Sequence, residues 1–199
     1  YPLRRQRQMC IRDSLDTDER RRFAQVSHEY LIEQIQFQEF STPSGGLGGT
    51  LKLNFNHPVK ELIWWAGTSS GTGLWGSATG GSLSSNGTPV YDGTSKAQLK
   101  LNGHDRFAMQ SIDYFSRYQT MKYHENYQSV SILLDSVSVY SFALKPEEHQ
   151  PSGTCNFSRI DSAQLVFEGL LSANHNVNIY AVNYNVLRIM SGMGGLAYS

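Results

Sequence analysis

Alternating apolar and polar runs, repeated along the chain and separated by Gly, Asn and Pro, constrain the fold more than any other feature. Leu51, Leu53 and Phe55 alternate with Lys52, Asn54 and Asn56, and a longer run of the same kind extends from Val177 to Arg188. A period of two places successive side chains on opposite faces of a pleated strand. Val59–Ala66, Ala97–Leu101, Val137–Ala143 and Ile160–Phe167 are further strand candidates. From Leu31 onward, Leu31, Ile35 and Phe37 fall on one side, with Ile32, Gln34 and Gln36 on the other. Only the preceding segment departs from this period. Asp16 and Glu19 have capping-box spacing, and Phe23, Val26 and Tyr30 share a helical face, which predicts a short helix. Several strands, one short helix and no strand–helix–strand rhythm indicate a mainly β fold, an antiparallel sandwich or barrel. A length of 199 residues suits one domain with a sizeable core.

The stretch Tyr140–Asp161 (YSFALKPEEHQPSGTCNFSRID) joins two of these strands through an unusual connector. Val137 and Val139 alternate with Tyr140 and Phe142 until Pro146, which lacks a ladder donor and ends the run. Pro146, Pro151 and Gly153 restrict or bend the backbone, while Ser152, Thr154 and Asn156 can satisfy local amides. The connector is therefore expected to be a structured turn.

This segment resembles the hallmark segment of the major capsid proteins of nucleocytoplasmic large DNA viruses, a group that includes the phycodnaviruses and iridoviruses. Asp18–Phe37 (DERRRFAQVSHEYLIEQIQF) and Asn183–Ser199 (NYNVLRIMSGMGGLAYS) extend the likeness over nearly the whole chain, in the family's order. The resemblance implies a jelly-roll β-sandwich, the second and carboxy-terminal of two in one chain. It also implies a structural protein, not an enzyme, with no cofactor. Its action would be self-association as a homotrimer, in which two similar jelly rolls from each of three copies form a six-cornered, pseudo-hexagonal capsomer of an icosahedral shell. The implied partners are the other copies, neighbouring capsomers and minor capsid proteins. The implied location is the virion, after assembly in the host cell cytoplasm.

The likeness begins only near Leu15. Gln8–Ser14 (QMCIRDS) reads as the translated end of a transposase sequencing adapter, so residues 1–14 are expected to be an assembly scar and are set aside. Residues 15–199 are expected to be the carboxy-terminal jelly-roll domain, without the first jelly roll and most of their own first strand. An unpaired sheet edge and a tendency to aggregate follow from that expectation.

Without residues 1–14, Lys plus Arg falls from 17 to 13 and Asp plus Glu from 17 to 16, leaving a net charge of −3. That is not the footprint of a nucleic-acid-binding protein. The basic run Arg20–Arg22 fans around a helix instead of forming a stripe. Cys10 falls within residues 1–14, which leaves Cys155 as a packed thiol without an intramolecular disulfide partner. The longest apolar run, Leu62–Ala66, is too short to cross a bilayer.

Several segments approach a catalytic or metal-binding pattern without completing it. His28-Glu29 begins like a zinc-protease helix, but Ile32 occupies the second ligand's place, and Gln128 occupies it after His124-Glu125. Glu147, Glu148 and His149 are adjacent on a turn and diverge, which favours a solvated cluster over paired catalytic carboxylates. The run Gly192–Gly195 (GMGG) lacks the helix of a phosphate loop. His104, Asp105 and Arg106 read as a buried or interfacial polar cluster. No catalytic, cofactor-binding or metal-binding residue is assigned. Trp64, Trp65 and Trp75 leave a carbohydrate-binding β-sandwich as the alternative function. Because Trp64 and Trp65 are adjacent in a strand, they must face opposite ways. The Gly-, Ser- and Thr-rich stretch Gly67–Ser95 is a candidate display loop, and its sequon makes Asn86 the glycosylation candidate. Asn156 heads a second, lesser sequon.

Overall fold

The computed structural model describes residues 17–41, 49–68, 95–125, 137–169, 175–190 and 193–198. Residues 1–14, Asp16, Gln128 and most of Gly67–Ser95, including Trp75 and Asn86, lie outside the described residues. In chain order the elements are helix α1 (Thr17–Gln25) and strands β1 (His28–Ser41), β2 (Thr50–Leu53), β3 (Pro58–Thr68), β4 (Lys96–Leu101), β5 (His104–Asp105) and β6 (Gln110–Ser111). A π-helical turn (Tyr114–Tyr118) leads into α2 (Gln119–Tyr123), followed by β7 (Val137–Ser141), β8 (Cys155–Asn156), a 3-10 turn (Phe157–Arg159), β9 (Ala163–Glu168), β10 (His175–Met190) and β11 (Met193–Leu196).

One sheet has the order β1-β10-β3-β7, with β11 beside β10 and β8 beside β3; the other has the order β2-β9-β4-β5, with β6 beside β4. Along the chain the principal strands visit the sheets as a palindrome. β1 to β4 alternate from the first sheet to the second, β5 stays in the second, and β7, β9 and β10 alternate back to the first. Early strands thereby lie antiparallel to late ones: β2 and β4 flank β9, and β3 lies beside β10. This is the wrap of a jelly roll, which joins two antiparallel sheets around one core.

The chain divides into two compact units, residues 34–184 and residues 1–33 with 185–199. The larger unit holds the sandwich core, where Val59, Leu62, Trp64, Val177, Ile179 and Ala181 of one sheet meet Leu53, Ala97, Leu99, Leu165 and Phe167 of the other. Burial of such side chains is the main stabilising term, about 1.5–3 kcal/mol for each large one. Leu53 and Phe55 are buried while Lys52 and Asn54 are exposed, as their alternation predicts. Trp64 is buried against Phe115, with ring centroids 5.1 Å apart, whereas Trp65 on the opposite face is only half-buried. In the smaller unit, Leu187 to Met190 of β10 pair with Met193 to Leu196 of β11. There Arg188 donates to Glu29 Oε1 from Nη2 at 2.6 Å.

β3 departs from simple alternation, because Val59 and Leu62 both join the core although they are three positions apart. Glu61 opposes Val182 of β10 and Val59 opposes the next residue, Asn183, so Lys60 is an extra residue on β3. Such a bulge resets the facing of the strand and re-aims one side chain.

Two local expectations change, and one element was not foreseen. The predicted helix ends at Gln25, and Tyr30 lies in β1, because the segment from His28 onward pairs in a sheet instead of continuing a weak helical face. His104, Asp105 and Arg106 are exposed, not buried. They follow a tight hairpin in which Asn102 (φ 52°) and Gly103 (φ 79°) are both left-handed, a two-residue turn suited to Asn-Gly. The short helical segment Tyr114–Tyr123 carried no pattern that separated it from its neighbours.

Candidate assembly surface and the anchored connector

β1 presents its apolar side outward. Ile35 and Phe37 are 70% and 54% exposed, while Gln34, Gln36 and Gln38 are half-buried. The cause is the free edge of the segment 52–56. Gln36 Nε2 donates to Asn56 O at 2.6 Å and Gln36 Oε1 accepts from Asn56 N at 2.9 Å. Gln38 Nε2 donates to Lys52 O at 3.1 Å and Gln38 Oε1 accepts from Asn54 N at 2.9 Å. A carboxamide carries a donor and an acceptor in one plane, as a peptide group does, so the two glutamines take the place of a ladder strand. Gln36 Nε2 also reaches Asn183 Oδ1 at 3.1 Å. With the glutamines turned inward, the period of two turns Ile35 and Phe37 outward. Phe37 packs there on Tyr180 of β10, with ring centroids 4.9 Å apart.

The connector Tyr140–Asp161 is fastened to the bulge of β3. Lys60 O accepts from Phe142 N at 2.9 Å and from Ala143 N at 3.2 Å, and the buried Lys60 Nζ donates to Pro146 O at 2.7 Å. The ammonium also lies 5.6 Å from the centre of the Tyr184 ring. A buried cation is tolerable only with partners such as these. Ser152 Oγ accepts from Lys145 N at 2.9 Å and donates to Lys145 O at 3.2 Å, which closes the turn. Gly153 has φ 150°, and a Cβ placed on it would come within 2.8 Å of Phe142 O. β8 then pairs with Pro58 and Val59, and Asn156 Oδ1 accepts from Ser158 N at 3.1 Å. The side-chain amide of the lesser sequon is thus engaged in a local turn.

His124 follows α2 and stands between two carboxylates. Its Nδ1 is 3.0 Å from Glu147 Oε1 of the connector, and its Nε2 is 3.3 Å from Glu61 Oε2 of β3. The second contact is poorly aligned as a hydrogen bond, so it acts through charge and proximity. The His124 pKa is raised above 6.5, first by the Glu61 carboxylate beside its Nε2 and then by Glu147 at its Nδ1, with burial opposing.

The remaining sequence candidates do not converge. Glu148 pairs with Lys145 at 2.7 Å, Glu147 belongs to His124, and His149 is exposed, so these neighbours serve separate contacts. His28 Nε2 lies 3.4 Å from Arg22 O, and Ile32 is half-buried. Among the described residues no group of three His, Cys, Asp or Glu side chains is placed to hold a metal ion. Glu61 and Glu147 meet opposite nitrogens of His124 and cannot close on one ion. Burial raises the Cys155 thiol pKa, against a smaller opposing effect of the Arg106 charge. No helix of the described residues is long and apolar enough to cross a membrane.

Sequence reasoning missed Lys60, Glu61 and His124 as the connector's anchors. Two charged residues inside the apolar run Val59–Ala66 were the available signal. Their partners lie far along the chain, where a single sequence gives no distance.

A family model described as large eukaryotic DNA virus major capsid protein matches residues 19–195. The chain is 48% identical to the major capsid protein of Pyramimonas orientalis virus, over 93% of this chain and 46% of that protein. It is 41% identical to the major capsid protein of Paramecium bursaria Chlorella virus 1, over 93% of this chain and 52% of the relative. Among solved structures, a quasi-atomic model of the PBCV-1 virus capsid superposes with a TM-score of 0.73 at 39% identity, covering 92% of this chain and 55% of the other. The chain therefore spans about half the length of the relatives it matches.

Proposed function

This chain belongs to the family of large eukaryotic DNA virus major capsid proteins, and from that premise we propose that it is the carboxy-terminal jelly roll of a shell subunit whose action is self-assembly. In this reading the complete protein forms a homotrimer, a pseudo-hexagonal capsomer that packs against neighbouring capsomers and minor capsid proteins in the virion. Assembly takes place in the host cytoplasm, and the protein works without catalysis. Residues 1–14 belong to an adapter scar, and the stretch between Thr68 and Ser95, which carries Asn86, is a display loop open to glycosylation; Gly67 and Thr68, which the sequence reading included, belong to β3.

One observation carries the reading: an exposed apolar row, Ile35 and Phe37 with Tyr180 beside them, lies on the outside of a sheet whose inner side is already satisfied. An obligate interface of about 2,000 Å² or more is rich in apolar and aromatic groups. Trp64, Phe107, Phe115, Tyr140 and Phe142, by contrast, serve the core through ring contacts.

Expression of the complete protein, with its upstream half restored from the source transcript, tests this by light scattering coupled to gel filtration. A trimer that falls to monomer in the double variant Ile35→Asp, Phe37→Asp, with unchanged circular dichroism, is the expected result. A complete protein that is monomeric, or a trimer indifferent to both substitutions, overturns it.

A further inference from the structure

His124 lies where the end of α2, the bulged strand β3 and the connector meet, and its two ring nitrogens face two different carboxylates. Glu61 is buried on β3 and Glu147 is half-exposed on the connector. A neutral imidazole carries one N–H and one lone pair, so one of the two carboxylates then faces a lone pair. An imidazolium carries a proton on each nitrogen and meets both. The His124 backbone N–H is held independently by Thr120 O at 3.0 Å, so the main chain that carries the ring stays in place whichever form it takes.

We infer that His124 is a proton-dependent latch: as an imidazolium it ties Glu147 of the connector to Glu61 of β3, and on losing its proton it keeps an N–H for only one of them, which breaks the tie. Other charged groups nearby are already committed. On β3, Lys60 Nζ donates to Pro146 O; on the connector, Lys145 pairs with Glu148. On α2, Lys122 lies 5.6 Å and 5.2 Å from the centres of the Tyr118 and Tyr123 rings, and Glu125 next to the histidine is exposed. None of these substitutes for the imidazolium between the two acids. The Lys60 anchors do not titrate with it, so the latch governs the Glu147 end of the connector and leaves the Phe142–Pro146 end fastened.

The sign follows from the raised folded pKa of His124. The latch's contribution is complete below the unfolded value of about 6.5 and is lost as pH rises through the higher folded value. The connector should therefore loosen on the alkaline side. Opening increases about tenfold for each pH unit by which the His124 midpoint with the connector tied exceeds its midpoint with the connector released.

The test combines the imidazole titration of His124 by NMR with amide hydrogen exchange of residues 147–150, corrected for intrinsic rates, from pH 5.5 to 9 on the whole chain. The expected result is a His124 midpoint above 6.5, with protection of these amides falling over the same range in the wild type and pH-independent in His124→Gln. Glu147→Gln, at a half-exposed position, guards against a folding failure of the first variant; it should lower the His124 midpoint and blunt the step. A midpoint at or below 6.5, or the same pH dependence in wild type and variants, overturns the latch.

Discussion

The Gln36 carboxamide bonds both backbone groups of Asn56, donating to its carbonyl at 2.6 Å and accepting from its N–H at 2.9 Å. One side chain thus takes the place of a strand at the edge of 52–56, and Gln38 repeats the arrangement two residues later on Lys52 and Asn54. The inward glutamines and the outward Ile35 and Phe37 are two results of the same facing.

Replacing Gln36 with Ala should therefore destabilise the fold although the residue is only half-buried, and by more than Ile35→Thr, a change at an outward-facing position of the same strand. Each lost bond costs about 0.5–1.5 kcal/mol, so removing the two Asn56 bonds and the Asn183 bond together should cost about 1.5–4.5 kcal/mol. Urea denaturation measures it, with Ile35→Thr and Glu39→Ala as the outward-facing comparisons; a loss in either equal to that of Gln36→Ala would contradict the arrangement.

The adjacent tryptophans provide a test of facing. Trp64→Ala empties a site against Phe115 and should cost about 3–5 kcal/mol. Trp65→Ala, on the half-buried side, should cost less than half as much. Thermal melts of the two variants decide the matter, and a reversed order would place the strand the wrong way round.

Gly153→Ala should loosen the connector. Its new Cβ would meet the Phe142 carbonyl at 2.8 Å, and backbone cannot move aside as the tip of a flexible side chain can. The cost should exceed about 1 kcal/mol, the scale at which Ala is penalised where its conformation does not fit. Hydrogen exchange across Tyr140–Asp161 should accelerate; unchanged protection would show that the close approach has another solution.

Cys155 should react slowly. The thiolate is the nucleophile, and burial raises the pKa of this thiol. Alkylation by iodoacetamide at pH 8, followed by peptide mass so that Cys10 is counted separately, should run roughly tenfold or more below the rate in denaturant. Equal rates would mean an open site.

The isolated chain 15–199 should self-associate as its concentration rises, since Ile35 and Phe37 are exposed. Sedimentation velocity should show this, with Phe37→Asp reducing it. A sharply melting monomer at high concentration would count against the proposed assembly face.

The longer strands were legible in the sequence because alternation is a local property, whereas β5, β6, β8 and β11, of two to four residues, are too short to show it. Leu53 and Phe55 are buried where period two places them, and Trp64 and Trp65 face opposite ways for the same reason. The connector could be read as structured because Pro146 and Gly153 restrict the backbone wherever they occur. The hairpin at Asn102-Gly103 was also legible in principle, but its neighbours His104 and Asp105 drew attention as a polar cluster.

By itself, then, the sequence determined a mainly β chain of alternating strands with a structured connector, and through its motifs a family likeness. Those properties depend on neighbours within a few residues. Only the tertiary structure decided which side of β1 faces out, that Lys60 is a bulge, and that Glu61, His124 and Glu147 meet. Each of these depends on groups far apart in the chain: the free backbone edge at 52–56 recruits Gln36 and Gln38, and the wrap of the sheets brings α2 and the connector to one end of β3. Periodicity says that two faces differ, but which face is buried is settled by what the rest of the chain leaves unpaired.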